Sequence, residues 1–252
     1  MNNKTQENTI LLKLMKKLII IVIAIIAVLF LVRKCEFTRS AFQSLTGKVT
    51  DFVSNEIEDV KTEILNDYEW VDLGLSVKWA TCNVGASSPN DFGNYFAWGE
   101  TSPKESYEWS NLHYCITDDG VAFEKYNKGA KDGKTRLDLM DDAARVNWGG
   151  RWRTPTAAEW DELKEYCEWS FIIEGCKVTS KINGNSIFLP AAGFRENNSF
   201  SQVSTGGNYW SSSLDTDSES SSYAKGIDFS SSHLTGSSYS RSFGFSVRPV
   251  TD

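Results

Sequence analysis

From Leu18 to Val32 the chain runs through 15 apolar residues without a break, with Lys16-Lys17 before the run and Arg33-Lys34 after it. All nine tryptophans lie at or beyond Trp70. Nothing constrains the fold more than this division, because an apolar helix and an aromatic-rich core belong to different solvents. At 1.5 Å per residue the run makes roughly 22 Å of helix, and Leu14 to Lys17 extend it to about 28 Å if the lysines snorkel. That is close to the ~30 Å of a hydrocarbon core, so a transmembrane anchor is expected. A cleaved secretory signal suits the basic start, but Leu31, Val32, Arg33 and Lys34 are not the small residues that cleavage needs. Cys35 does not read as a lipid-acylation site either, since Arg33 and Lys34 stand before it. Basic residues are nearly balanced across the run, with Lys4, Lys13, Lys16 and Lys17 on one side and Arg33, Lys34 and Arg39 on the other. The reading adopted places the amino end inside the cell and the rest of the chain outside the cytoplasm, in a single-pass membrane protein.

Four segments follow: a basic flank over 1–17, a signal anchor over 18–34, an amphipathic stalk over 35–67 and one head over 68–252. In the stalk, Phe42, Leu45, Val49 and Phe52, then Val53, Ile57, Val60 and Ile64, recur at helical spacing. The seam changes register at Phe52-Val53 and Gly47 weakens it. It suits a short self-associating stalk, giving a homo-oligomer, or a helix packed on the head, with equal weight. Residues 1–35 carry a net charge of +5 and the remainder −12, from 26 Lys/Arg and 33 Asp/Glu in the whole chain. A nucleic-acid partner is disfavoured, because phosphate binding rests on clustered Lys and Arg. The five cysteines (35, 82, 115, 167, 176) form no C-x-x-C pair, so no metal is expected. Disulfides among Cys82, Cys115, Cys167 and Cys176 stay open in all three complete pairings.

In the head, Val71, Leu73, Leu75, Val77 and Trp79 alternate with polar or small residues, which predicts one half-buried strand. Thr156 and Glu159 form a capping-box pair at the start of a helix whose one face carries Trp160, Leu163 and Cys167. Lys177 to Leu189 predicts two strands around Asn183-Gly184-Asn185. The carboxyl end predicts several short strands joined by polar loops, and the head is therefore expected to be α+β. Pro155 fixes its own φ and keeps Thr154 extended, which leaves Thr156 free to cap. Trp98, Trp148, Trp152 and Trp210 are expected in the core.

Several stretches then fall in a recognisable order. They are Val71-Asp-Leu-Gly-Leu-Ser-Val-Lys-Trp-Ala-Thr-Cys-Asn-Val-Gly85, Tyr95-Phe-Ala-Trp-Gly-Glu100, Asp141-Asp-Ala-Ala-Arg145, Phe188-Leu-Pro-Ala-Ala-Gly-Phe-Arg195, Tyr209-Trp-Ser-Ser-Ser213 and Gly244-Phe-Ser-Val-Arg-Pro-Val250. Together they resemble the Fibrobacter succinogenes major paralogous domain, common in surface and secreted proteins of gut-type bacteria. Gly149-Gly-Arg-Trp-Arg-Thr-Pro-Thr-Ala-Ala-Glu-Trp160 is similar to the R-x-P-T-x-x-E-W segment of the formylglycine-generating-enzyme and C-type-lectin-like superfamily. The resemblance covers nearly all of 70–250 and implies a C-type-lectin-like head on the anchor and stalk. It implies no ligand, because the family mostly lacks an assigned activity. Formylglycine-generating activity depends on a pair of cysteines near the carboxyl end, and here the last cysteine is Cys176. The sulfoxide-synthase branch places clustered histidines on iron, against only His113 and His233 here.

Other chemistry is weak. A serine with His233 and Asp228 could make a hydrolase, but no G-x-S-x-G elbow supports it. Gly129-Ala-Lys-Asp-Gly-Lys-Thr135 is one residue short of a phosphate loop, and Asp215, Asp217 and Glu219 lack the glycine and distal glutamate of a calcium loop. No cofactor is expected. What remains is a carboxyl region with 18 serines between Ser199 and Ser246. Asn208, Tyr209, Tyr223, Asp228, Tyr239 and Arg241 are interleaved with them as candidate ligand contacts on loops, the mixture an adaptable recognition surface uses. The expected function is non-catalytic recognition of a glycan or protein, with adhesion as its cellular role. The alternatives are a structural envelope protein whose head packs on another subunit and, least favoured, the hydrolase.

Overall fold

The computed structural model of the protein describes residues 47, 48, 50, 51, 54, 68–127, 132–172, 174–218 and 220–252. The chain divides into two compact units, Met1–Asp67 and Tyr68–Asp252. The basic flank and the anchor lie outside the described residues. Of the stalk only Gly47, Lys48, Thr50, Asp51 and Ser54 are described, each helical and exposed. Among the described residues no helix is long and apolar enough to cross a membrane.

The unit Tyr68–Asp252 is mixed α+β, mostly sheet with few helices. Its first strands, β1 (Trp70–Val71) and β2 (Lys78–Ala80), pair antiparallel, and β2 also pairs with the last strand, β13 (Val250–Thr251). The single strand expected over 71–79 is therefore a hairpin. The cause is local: the Asp72 carboxylate accepts the Gly74 N–H at 2.7 Å, and Gly74 turns the chain with φ +72°. Leu73 and Val77 are nevertheless buried, as alternation required.

A five-stranded sheet is the centre. It is built from β3 (Tyr95–Phe96), β9 (Gly206–Leu214), β10 (Tyr223–Ser230), β11 (Leu234–Ser240) and β12 (Phe245–Ser246) in the order β11-β10-β9-β12-β3. Instead of short strands, the serine-rich end supplies three long ones, of nine, eight and seven residues. β9 is buried on both faces: Trp210 stacks on Phe245 at 4.2 Å on one side, and Tyr209 lies 5.8 Å from Trp160 on the other. A smaller antiparallel sheet joins β4 (Cys167–Ile172), β5 (Gly175–Ser180) and β6 (Ser186–Pro190), with β5 and β6 turning at Gly184 as expected. A two-stranded ribbon of β7 (Phe194–Glu196) and β8 (Ser199–Ser201) completes the unit.

Two α-helices are described in this unit, and the second packs on the central and the smaller sheet. The first, α1 (Ala143–Trp148), is capped by Asp142, whose buried carboxylate accepts from Ala144 N, Arg145 N, Thr154 N and Thr154 Oγ1. Burial pushes that carboxyl group up from its ordinary range despite the four donors. The second, α2 (Ala157–Tyr166), begins with the expected capping box at Thr156 and Glu159 and buries Trp160 and Leu163. It ends one residue before Cys167, which is extended and opens β4, because Trp169 and Phe171 alternate with polar residues there. The four described cysteines are free thiols, and burial pushes Cys167 and Cys176 up to about 11. Trp98, Trp148, Trp152 and Trp210 all lie in the core.

One residue ties the sheets together. Arg248 is wholly buried, and its guanidinium donates to Asn83 Oδ1, to the carbonyls of Ala80 and Thr81, and to that of Phe188. Replacing it takes a donor from four acceptors at once, two of them fully buried. Arg248→Met should therefore cost about 3–5 kcal/mol of unfolding free energy, read as a fall in the urea midpoint.

A second prediction concerns acid. Burial raises the Glu159 carboxyl, but the Arg153 fork at 2.8 and 2.6 Å and the Thr156 N–H at 2.7 Å outweigh it and hold Glu159 below its ordinary value. A depressed acid stabilises the fold above its unfolded pKa and loses that contribution as pH falls through the folded one. Below about pH 4.5 the wild type should lose stability more steeply than Glu159→Gln, measured by denaturant midpoints across pH.

Candidate functional site

The six residues singled out from sequence fall into three places. Asn208, Tyr209 and Arg241 are in the core, at 4%, 0% and 0% exposure, so they are not surface contacts. The Tyr209 hydroxyl donates to the Pro190 carbonyl at 2.7 Å and accepts from Asn83 Nδ2, and burial pushes it up to about 12. Asp228 and Tyr239 sit not on loops but on β10 and β11, where the Tyr239 hydroxyl donates to Asp228 Oδ1. Burial first, and then the hydrogen bond to Asp228 and its charge, raise that phenol far above its ordinary range. Only Tyr223, 40% exposed at the start of β10, lines a groove.

The imagined serine, histidine and aspartate do meet. His233 Nε2 contacts Asp228 Oδ2 and its Nδ1 lies 2.7 Å from Ser230 Oγ. All of this is inside the β10–β11 turn: Ser230 N–H donates to the His233 carbonyl, and Ser230 Oγ accepts the Ser232 N–H. The hydroxyl faces Nδ1 and the carboxylate Nε2, the reverse of the hydrolytic triad, and the contacts serve the turn.

The groove at Tyr223 has a volume of about 590 Å³, within the range of ligand sites. One wall is the 3-10 turn Trp109–Asn111, whose Trp109 ring rests on Gly120. Gly120 has φ +72° and a Cβ there would meet the indole at 2.4 Å, so no other residue fits beneath that ring. Ser222, next to Tyr223, donates to the Gly120 carbonyl and fastens this loop to the sheet. The other wall is the β7–β8 turn at Glu196 and Asn197, bridged to Tyr107 by two backbone hydrogen bonds of 3.0 and 3.1 Å. Ser240 and Ser242 form the floor. Its carboxylates are Glu108, Asp118 and Glu196, and no lysine, arginine or histidine lines it. Among the described residues none of these three acids has an ion pair.

A neighbouring hollow of about 690 Å³, between 99–104, 110–115 and Met140-Asp141, differs in this respect. Its Glu100 holds Lys104 at 2.9 Å and the His113 N–H at 2.8 Å, and its Asp141 takes Lys125 and the hydroxyls of Tyr114 and Tyr126. Those acids are consumed by the fold. Among the described residues no group of three or more His, Cys, Asp and Glu could hold a metal.

Arg241 shapes this region from beneath. Its guanidinium stacks 4.0 Å over Phe123 and donates to the carbonyls of Tyr126 and Ser221, pinning the 114–127 excursion and the segment before β10 to the end of β11. No carboxylate bonds to it among the described residues, and burial pulls it down to about 10, still charged at neutral pH. A lone arginine among serines gave no sign of this, since its partners lie far away in sequence. No protein-family model, curated protein or solved structure matches the chain.

Arg241→Met should loosen the excursion without unfolding the sheet. We expect the amides of Ile116 and Glu124, which bond within it, to exchange roughly 30-fold faster, for about 2 kcal/mol, while those of β9 and β10 hold.

Proposed function

We propose that the chain is a non-catalytic recognition module of the Fibrobacter succinogenes paralogous-domain type, with a C-type-lectin-like head carried outside the cytoplasm by the 18–34 anchor, and that it binds glycans in the Tyr223 groove. The observation that carries the reading is the groove's composition. The part-exposed rings of Trp109 and Tyr223 offer apolar faces to the C–H surface of a sugar, and Glu108, Asp118, Glu196 and Asn197 offer acceptors for its hydroxyls. Three unpaired carboxylates and no base favour neutral or amino sugars over uronic or sialic acids, through like-charge repulsion. The six-motif resemblance supports the fold assignment, and the apolar run between basic pairs supports the anchor and its bacterial envelope location.

The test is a glycan array probed with the full-length solubilised chain. We expect saturable binding that falls at least tenfold in Trp109→Ala and Tyr223→Ala and is unchanged in His233→Ala, whose position is outside the groove. Binding to no glycan, together with a co-purifying subunit, would favour a structural envelope role instead.

A further inference from the structure

We propose that β11 is a dimerisation edge, across which a second copy of this chain pairs its own β11 antiparallel about a two-fold axis through Gly236. This goes beyond the groove reading and does not depend on it. At the turn, Ser230 N–H donates to the His233 carbonyl; at the other end, Arg241 N–H donates to the Ser222 carbonyl. Antiparallel alternation between these two points turns Thr235, Ser237 and Tyr239 toward β10. Leu234, Gly236 and Ser238 therefore present their N–H and C=O groups outward, and among the described residues these find no backbone partner.

Such an edge is rarely left bare. Natural edges are short, charged, bulged or broken by proline. The sheet's opposite edge, β3, obeys that rule with two residues, whereas β11 has seven, Leu-Thr-Gly-Ser-Ser-Tyr-Ser, with no charge and no proline. Residues 235–237, at its middle, are exposed.

The layout is suited to a second copy. Its outward set is symmetric about Gly236, so self-pairing sets Gly236 against Gly236 and Leu234 against Ser238, for about six hydrogen bonds. Nothing between Thr235 and Ser238 is larger than threonine. Gly236 is not demanded from within, because the nearest atom that a Cβ would meet is the flexible end of Lys164, at 3.1 Å. A strand glycine without an internal reason marks close approach by another backbone. Beside it, Lys164 pairs with Asp161 at 2.8 Å. Both side chains lie against Gly236, so each copy brings to the seam a pair that is already neutral and adds no net charge to it.

The full-length chain carrying Gly236→Cys tests this directly. Hydrogen-bonded antiparallel partners have Cα atoms about 5.5 Å apart, inside the span of a disulfide. Oxidation should yield a covalent dimer on a non-reducing gel, well above the wild type with its native cysteines. Ser237→Cys, which would face Thr235 and not itself, should not. Adding Ser238→Pro to Gly236→Cys deletes one outward donor and no β10 bond, and should reduce the linked dimer at least tenfold. No linkage above wild type, whether the chain is monomeric, dimerises only through its stalk or offers β11 to another protein's strand, overturns the proposal. So does linkage that Ser238→Pro leaves unchanged.

Discussion

A buried guanidinium must be surrounded by acceptors, and Arg248 shows how far that requirement reaches. It is wholly buried with no carboxylate paired to it among the described residues, and the Tyr209 hydroxyl that lies near it is itself raised to about 12. The acceptors it uses come from the end of β2 and the adjacent Asn83 on one side and, more than a hundred residues later, from β6 on the other. Desolvating the charge is affordable only when all of them are in place. The first hairpin, the last strand and the smaller sheet are thus assembled around one side chain, and the packing of Trp79 against Trp160 at 4.7 Å follows from that assembly.

Arg241, equally buried, repeats the device at the other end of the central sheet's long hairpin. Its partners are carbonyls of the 114–127 excursion and of the segment before β10, and rings from Trp98 and Phe123 cover its faces. Arg248 therefore joins sheets, whereas Arg241 joins a loop to a sheet. Stiff groove walls follow, because Trp109, Gly120 and Ser222 all belong to segments that Arg241 or its neighbours fasten.

What could be read in the sequence was whatever is decided within a few residues. The capping box at Thr156 and Glu159, the turn at Gly184 and the burial of Trp160 are all local, and each is present. The hairpin at Gly74 was missed because alternation of apolar residues survives a turn, and only the Asp72 side chain marks it. The carboxyl end was misjudged for a different reason. β9 is covered on both faces, so period-two patterning has nothing to record, and Ser211 and Ser212 are buried as deeply as Trp210. Serine then looked like loop, and Asn208, Tyr209 and Arg241 looked like contacts. The groove drew on Trp109, Asp118 and Glu196, which no motif joins.

The 114–127 excursion is held by a polar network of its own. Tyr114 and Tyr126 both have positive φ, at 65° and 61°, a conformation that bulky residues adopt only when their surroundings over-determine it. Those surroundings are Asp141, which takes both hydroxyls, and Lys125, which bridges Asp138 and Asp141. A polar network that holds two strained tyrosines in place also holds the wall they build. The carboxylates it uses are taken up by the fold, whereas Glu108, Asp118 and Glu196 beside Trp109 and Tyr223 have no ion pair among the described residues. Walls held in place before any partner arrives lower the ordering cost of binding, a cost that a floppy loop would have to meet in full.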